Sequence, residues 1–286
     1  MIKRKVAVVV LNYKSYEETI ECVKSLLQQS IYNEIVIVEN GSQNKSWEVL
    51  NREFGETKNV TLLESKENLG FAKGNNIGIQ YARKQLNCTF VFVLNSDTIL
   101  DDQKTIETML SMYERKVGLI SCLCYGMDGK IANPSFVSKY NLYYKYIRTT
   151  LYNTYMLFRN SISKNENANR ALENGTVVKH NQNEFKQYKY VITGCAFMLT
   201  PDFFEYYEQL YPMTFLYAEE TALAWYIKKA GLKTVYCEKT KLLHKEAGST
   251  TIKRDTKRRM KMGAKSLWKV FPLLFMSAKR IRKKYN

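Results

Sequence analysis

Five apolar residues, Phe90–Leu94, run without interruption and are followed at once by Asn95, Ser96 and Asp97. An unbroken apolar run of this length reads as a strand covered on both faces, as in a parallel sheet with helices above and below. The polar groups at its carboxyl end fall where open α/β sheets gather their ligands. Asp97 is therefore placed to hold a ligand or a metal. The plainer alternative is that Asp97 and Thr98 cap a following helix.

The first 125 residues repeat this pattern. Strands are expected at 6–11, 34–38, 60–63, 90–94 and 117–122, and helices at 16–29, 45–54, 71–86 and 103–116, with Ser15 as an N-cap. Alternation of this kind implies an α/β fold with a mostly parallel central sheet flanked by helices. Beyond Tyr125 the regularity breaks. A tyrosine-rich stretch at 138–160 reads as helix and the polar stretch at 161–188 as a long loop. A strand-like run at 190–200 leads into a short helix from Pro201; a helix at 219–230 ends at Gly231, then a strand covers 234–237 and a loop 241–250.

Six cysteines without a CxxC pair, and only two histidines, suggest neither a zinc cage nor a disulfide framework; reduced thiols and a cytoplasmic chain are expected. The N-terminal Met1–Val10 reads as a first strand and not as a targeting segment. No run reaches the length of a membrane span. The net charge of +17 is concentrated: residues 251–286 hold 13 Lys or Arg against Asp255, a balance of +12. This tail interleaves Leu267, Trp268, Val270, Phe271, Leu273, Leu274 and Phe275 with the cations, which suits an interfacial helix on an anionic leaflet. A helix packed on the domain with a solvated basic end is the plainer alternative. Nucleic acid is not expected as a partner, because the apolar run suits a membrane or a hydrophobic partner better.

Four strand ends carry polar groups: Asn12-Tyr13, Glu39-Asn40, Glu67-Asn68 and Asn95-Ser96-Asp97. Parallel strands bring their carboxyl ends to one edge, so these groups should cluster. The segment Gly70-Phe-Ala-Lys-Gly74-Asn75-Asn76-Ile-Gly78 opens a helix and admits two readings, a phosphate-binding helix start or packing glycines. A carboxylate facing a phosphate site implies a divalent cation between them. Glu219 and Glu220 open the late helix, where acids ordinarily complement the helix dipole; as a base they must face an acceptor hydroxyl. His244 follows the last strand and is a better candidate than His180, which lies in the polar stretch.

Taken in order, six segments resemble a family 2 glycosyltransferase of the GT-A fold, rhamnosyltransferase-like. They are Val8-Val-Val-Leu-Asn-Tyr13, Val38-Glu-Asn-Gly-Ser42, Asn68-Leu-Gly-Phe-Ala-Lys-Gly-Asn-Asn76, Leu94-Asn-Ser-Asp-Thr98, Thr193-Gly-Cys-Ala196 and Phe215-Leu-Tyr-Ala-Glu-Glu220. The resemblance implies a domain over 1–250, with a nucleotide-binding half (1–125) and an acceptor half (126–250), followed by the tail at 251–286. It implies inverting, metal-dependent transfer of a sugar, rhamnose favoured, in cell-surface polysaccharide synthesis. The donor would be a nucleotide-diphospho-sugar of dTDP or UDP type, and the acceptor a glycan or lipid-linked saccharide. Galactose, glucose or N-acetylhexosamine is the alternative sugar, and a non-catalytic glycan- or nucleotide-binding scaffold the alternative of a different class. Asn12, Tyr13 and Glu39 would line the nucleoside pocket. Asn68, Gly70, Lys73, Asn75, Asn95, Ser96, Gly194 and Cys195 would border the donor. Asp97, helped by His244, would hold Mg²⁺ or Mn²⁺, since the DxD word of the family reads Asn95-Ser96-Asp97 here. Glu220 would be the base, with Glu219 as substitute; the family's usual Glu-Asp pair is altered. The enzyme would work in the cytoplasm, peripherally at the inner face of the cell membrane.

Overall fold

A computed structural model of the protein describes residues 4–129, 131–132, 136–138, 142–162, 190–245 and 256–286. The polar stretch from 163 to 188, His180 with it, the end of the expected loop at 246–250 and the start of the tail lie outside the described residues.

The alternation expected of the first half is present. β1 (Val6–Asn12), α1 (Tyr16–Leu27), β2 (Glu34–Asn40), α2 (Ser46–Phe54), β3 (Val60–Ser65), α3 (Gly70–Lys84) and β4 (Phe90–Asn95) follow one another, and the four strands lie parallel in the order β3-β2-β1-β4. Strand parity explains the unbroken apolar runs. Val6, Val8, Val10, Phe90, Phe92 and Leu94 face α1 and α2 in one buried cluster. Ala7, Val9, Val36, Val38, Val91 and Val93 belong to a second cluster on the other face, with Ala72, Ile79 and Ala82 of α3. Gly74 and Gly78 let α3 lie close on the sheet: a Cβ at Gly74 would meet Leu11 Cδ1 at 2.6 Å, and one at Gly78 would meet Val9 Cγ1 at 2.5 Å.

The second half extends and closes this sheet. β5 (Thr98–Leu100), α4 (Thr105–Ser111), β6 (Val117–Gly126), the short β7 (Ile131–Ala132) and β8 (Phe136–Ser138) precede the long α5 (Leu142–Ile162). Then come β9 (Tyr190–Ile192), β10 (Ala196–Leu199), α6 (Pro201–Tyr206), α7 (Glu219–Ala230) and β11 (Lys233–His244). The full order is β3-β2-β1-β4-β10-β6-β11-β5, with β10 antiparallel to both its neighbours and β8 paired with β9 apart from the main sheet.

Three local expectations are corrected. The run at 190–200 is two strands with a turn at 193–195, because β9 and β10 belong to different sheets. The region from 241 to 244 is strand, not loop, because Leu242, Leu243 and His244 pair with Leu100, Ile99 and Thr98. The same pairing makes 98–100 a strand in place of a helix start, and α4 begins only at Thr105, after Asp102 Oδ1 accepts a hydrogen bond from Lys104 N at 2.9 Å. Ser15 holds the N-cap position of α1 as expected, but its side chain makes no capping hydrogen bond; its hydroxyl meets that of Ser96 at 3.2 Å.

The tail folds as α8 (Thr256–Val270), a 3₁₀ turn (Phe271–Phe275) and α9 (Ala278–Tyr285), broken at Pro272 as its sequence suggests. It packs on the domain. Leu267, Val270, Leu273, Leu274 and Ile281 are buried in the same cluster as Trp225 and Tyr226 of α7. Each such side chain contributes about 2 kcal/mol by burial. Tyr146 and Tyr211 donate their hydroxyls to the carbonyls of Leu267 and Lys269, each at 2.6 Å. Trp268, Phe271 and Phe275 point outward.

Candidate active site

The polar strand ends of the first half are bonded to one another. Glu39, at the end of β2, is buried and accepts from Gly41 N at 3.1 Å, Ser42 N at 3.0 Å, the Ser42 hydroxyl and Asn12 Nδ2 at 3.3 Å. Asn12 Oδ1 accepts from the Thr19 hydroxyl at 2.9 Å. Next to Glu39 on β2, Asn40 donates to Asn68 Oδ1 at 3.2 Å, and that oxygen also accepts from Gly70 N at 2.9 Å. Asn75 turns back to donate to the carbonyl of Phe71 at 3.0 Å. Lys73 is exposed, and Tyr13 lies beside Lys14, whose Nζ is 5.3 Å from the ring centroid.

Gly70 has φ +79° because of what it touches. A Cβ there would sit 2.2 Å from the carbonyl oxygen of Phe215, and the next amide, Phe71 N, donates to that same oxygen at 2.8 Å. The start of α3 is thus fastened to the loop that carries the two acids. That loop is strained: Tyr217 and Ala218 have φ of 71° and 67°, a left-handed conformation costly for residues with a Cβ. The turn delivers Glu219 and Glu220 at the first turn of α7.

Both glutamates line a cleft of about 590 Å³ together with Asn95, Gly194, Cys195 and His244. Glu219 Oε1 is sealed from solvent without a hydrogen-bond partner among the described residues. Burial, with the charge of Glu220 behind it, pushes the Glu219 carboxyl up to about 8. The cleft therefore holds a carboxyl that exchanges its proton near neutral pH, beside a second carboxylate. Cys195 is no nucleophile: its thiol sits 3.5 Å from that of Cys124, and this contact together with burial pushes its ionisation well up. The turn at 193–195 is placed by Asn95 N, which donates to the Cys195 carbonyl at 2.8 Å.

Asp97 is buried behind the cleft wall and reaches it through His244. The register that pairs His244 with Thr98 brings His244 Nε2 to 3.3 Å from Asp97 Oδ1. Among the described residues no group of three His, Cys, Asp or Glu could hold a metal alone. A carboxylate beside an imidazole is still the kind of partial set that Mg²⁺ or Mn²⁺ accepts when phosphate oxygens and water complete the shell. The donor set fits such an ion bound jointly with a phosphorylated ligand.

Of the residues picked out in the sequence, Asn95, Gly194, Cys195, Glu219, Glu220 and His244 converge on the cleft, with Asp97 against His244. Asn12, Tyr13, Glu39, Asn68, Gly70, Lys73, Asn75 and Ser96 do not line it. One charged lining residue had no signal in the sequence: Arg259, from α8. A cation among many in a basic tail has no local mark, and only the docking of the helix distinguishes it.

The sequence profile of Glycosyl transferase family 2 matches residues 7–199. The chain belongs to glycosyl transferase family 2. The chain is 29% identical over 112 residues to Glycosyltransferase GlyG of Streptococcus pneumoniae serotype 4, a match covering 39% of the chain and 36% of that protein. It is 28% identical over 130 residues to the low-salt glycan biosynthesis hexosyltransferase Agl10 of Haloferax volcanii, covering 45% of the chain and 39% of the relative. The matched stretch is thus well under half the length of either relative. Among solved structures, mannosyltransferase PcManGT from Pyrobaculum calidifontis, in complex with GDP-Man and Mn²⁺, superposes with a TM-score of 0.62 at 14% identity, over 99% of this chain and 68% of that one. At that identity the likeness speaks for the fold, which is that of the GT-A glycosyltransferases.

Proposed function

We propose that this glycosyltransferase moves a sugar from a nucleoside diphosphate donor to an acceptor hydroxyl with inversion at the anomeric carbon. One observation carries the reading: an acid pair, one member raised to about 8, shares a single cleft with His244, which is itself paired to Asp97. The acceptor hydroxyl attacks the anomeric carbon from the face opposite the diphosphate, and its proton passes to Glu220. The bond from that carbon to the diphosphate breaks, its electron pair staying on the phosphate oxygen. Glu219 holds its own proton at neutral pH and so limits the negative charge facing the leaving group. A divalent ion bound by Asp97 and His244 would supply positive charge to the departing diphosphate.

Rhamnose is the favoured sugar on the resemblance of the sequence words, with galactose, glucose and N-acetylhexosamine next. The GDP-Man of the structural relative adds GDP sugars to the dTDP and UDP sugars worth screening. A thermal-shift screen of nucleotide-sugars, with and without Mn²⁺ or Mg²⁺, is the direct test. A single donor should raise the melting temperature, and more so with metal. No shift with any donor, together with no hydrolysis, favours a scaffold that kept the fold.

The acceptor is proposed to be lipid-linked. No helix of the described residues is long and apolar enough to cross a membrane. The outward faces of α5 and the tail nevertheless form one aromatic surface. Leu151, Tyr155 and Phe158 are exposed on α5, Trp268, Phe271 and Phe275 on the tail, and the Trp268 indole donates to Thr154 Oγ1 at 3.1 Å to join them. Neither 142–162 nor 256–286 contains an Asp or Glu. Such a face suits an anionic bilayer. The protein should float with vesicles containing phosphatidylglycerol and not with pure phosphatidylcholine, and a Trp268→Ala/Phe275→Ala variant should float poorly. Equal behaviour of the two vesicle types removes the proposal.

A further inference from the structure

The basic tail reaches into the cleft. Arg259 lies in the first turn of α8 and lines the same cleft as Asn95, Gly194, Glu220 and His244. Its position follows from how the rest of the helix is held. Ser266 stands seven residues further on and so on the same face after two turns. Its hydroxyl donates to the carbonyl of Leu216 at 2.7 Å, in the loop that carries the acids. Ala264 and Leu267 are buried beside it, and the Tyr146 and Tyr211 hydroxyls hold the carbonyls of Leu267 and Lys269. A helix fastened at these points aims its first turn at the cleft.

Charge sharpens the point. Among the described residues lining the cleft, Arg259 is the only Lys or Arg, whereas Glu219 and Glu220 are acids. The side chain is exposed, so its placement owes nothing to packing of the core. A planar guanidinium presents paired N–H donors that match two phosphate oxygens at once.

We infer that Arg259 binds the diphosphate of the nucleotide donor and holds it as it departs. This rests on the sugar-transfer reading above. When the bond to the anomeric carbon breaks, the electron pair remains on the diphosphate and its negative charge grows. A fixed cation therefore binds the transition state and the nucleoside diphosphate product more tightly than the intact donor. The tail is on this account a wall of the active site as well as a surface helix.

The test uses the full chain with Arg259→Ala, Arg259→Lys and Arg259→Gln variants. Binding of UDP, GDP and dTDP, and of the matching monophosphates, is measured by titration calorimetry in Mn²⁺. The wild type should bind one diphosphate. Arg259→Ala should weaken that diphosphate by on the order of tenfold or more and leave the monophosphate close to wild type. Arg259→Lys should recover part of the loss, and kcat should fall along with affinity. Arg259→Gln, which keeps a polar N–H group but is shorter and uncharged, should behave as Ala. An unchanged diphosphate affinity in the Ala and Gln variants overturns the inference alone, as does a loss shared equally by the monophosphate. Failure of the wild type to bind any of the three diphosphates overturns the donor reading as well, so the two failures are distinct.

Discussion

The two sides of the sheet edge treat their polar groups in opposite ways. On the first-half side, Glu39, Asn12, Ser42, Asn40 and Asn68 spend their hydrogen-bonding capacity on each other and on nearby amides. On the second-half side, Glu219 Oε1 is left without a partner among the described residues, Tyr217 and Ala218 have positive φ, and burial pushes the Glu219 carboxyl up to about 8. A satisfied network fixes a shape. Strain and an unsatisfied buried polar atom are tolerated only where the surrounding fold over-determines them, and such places cluster at sites of chemistry. On the proposed reading the first half supplies a rigid seat together with Asn95 and Asp97, and the second half carries the proposed base.

The largest expected contrast is between activity and stability. Glu220→Gln should lower turnover by roughly 10²–10⁴-fold with little change in melting temperature. Glu39→Ala should do the reverse in its primary effect, lowering unfolding free energy by about 1–3 kcal/mol through orphaned buried donors, measured by urea titration. Near-normal turnover by a folded Glu220→Gln protein would sink the base assignment.

A second contrast is in pH. Glu219 is raised in the folded state from the ordinary 4.5 to about 8, so between those values the folded chain binds more protons than the unfolded one. The stability linked to this group is fully present below about 4.5 and is lost as pH rises through about 8. Glu219→Gln cannot lose that proton, and its melting temperature should gain on the wild type steadily across this window. Parallel melting curves against pH would contradict the assigned shift.

The smallest effect tests the strain. Ala218→Gly accommodates φ of 67° without a Cβ clash, and should raise stability by about 1 kcal/mol. A fall in melting temperature would show that the Ala218 methyl, which packs against the core, outweighs the relief.

The rigid seat was the more legible of the two. Its strands declare themselves by doubly buried apolar runs, and their polar ends fall on one edge by topology alone. The reactive side depends on contacts distant in sequence. The strand at 98–100 exists because β11 passes beside it, and three residues after an Asp look locally like a helix start. The pairing of His244 with Asp97 follows from that same register. No glycine marks the left-handed turn at 217–218, and Arg259 is one cation among 13 in its tail. The apolar residues of the tail carried a double meaning in sequence, and the fold divides them: Leu267, Val270, Leu273 and Leu274 face the domain, Trp268, Phe271 and Phe275 the outside.

The seat of Phe215 on Gly70 makes one mechanical part of two. With the Phe71 amide bonded to the same carbonyl, the helix start that follows β3 and the turn that presents the acids share a single coordinate. A ligand that displaces one displaces the other. On the proposed reading, in which the donor borders this helix start and the acceptor meets the acids, the two ligands would be linked through this contact, and whatever the donor does to the affinity for the acceptor, the acceptor must return to the donor in equal measure.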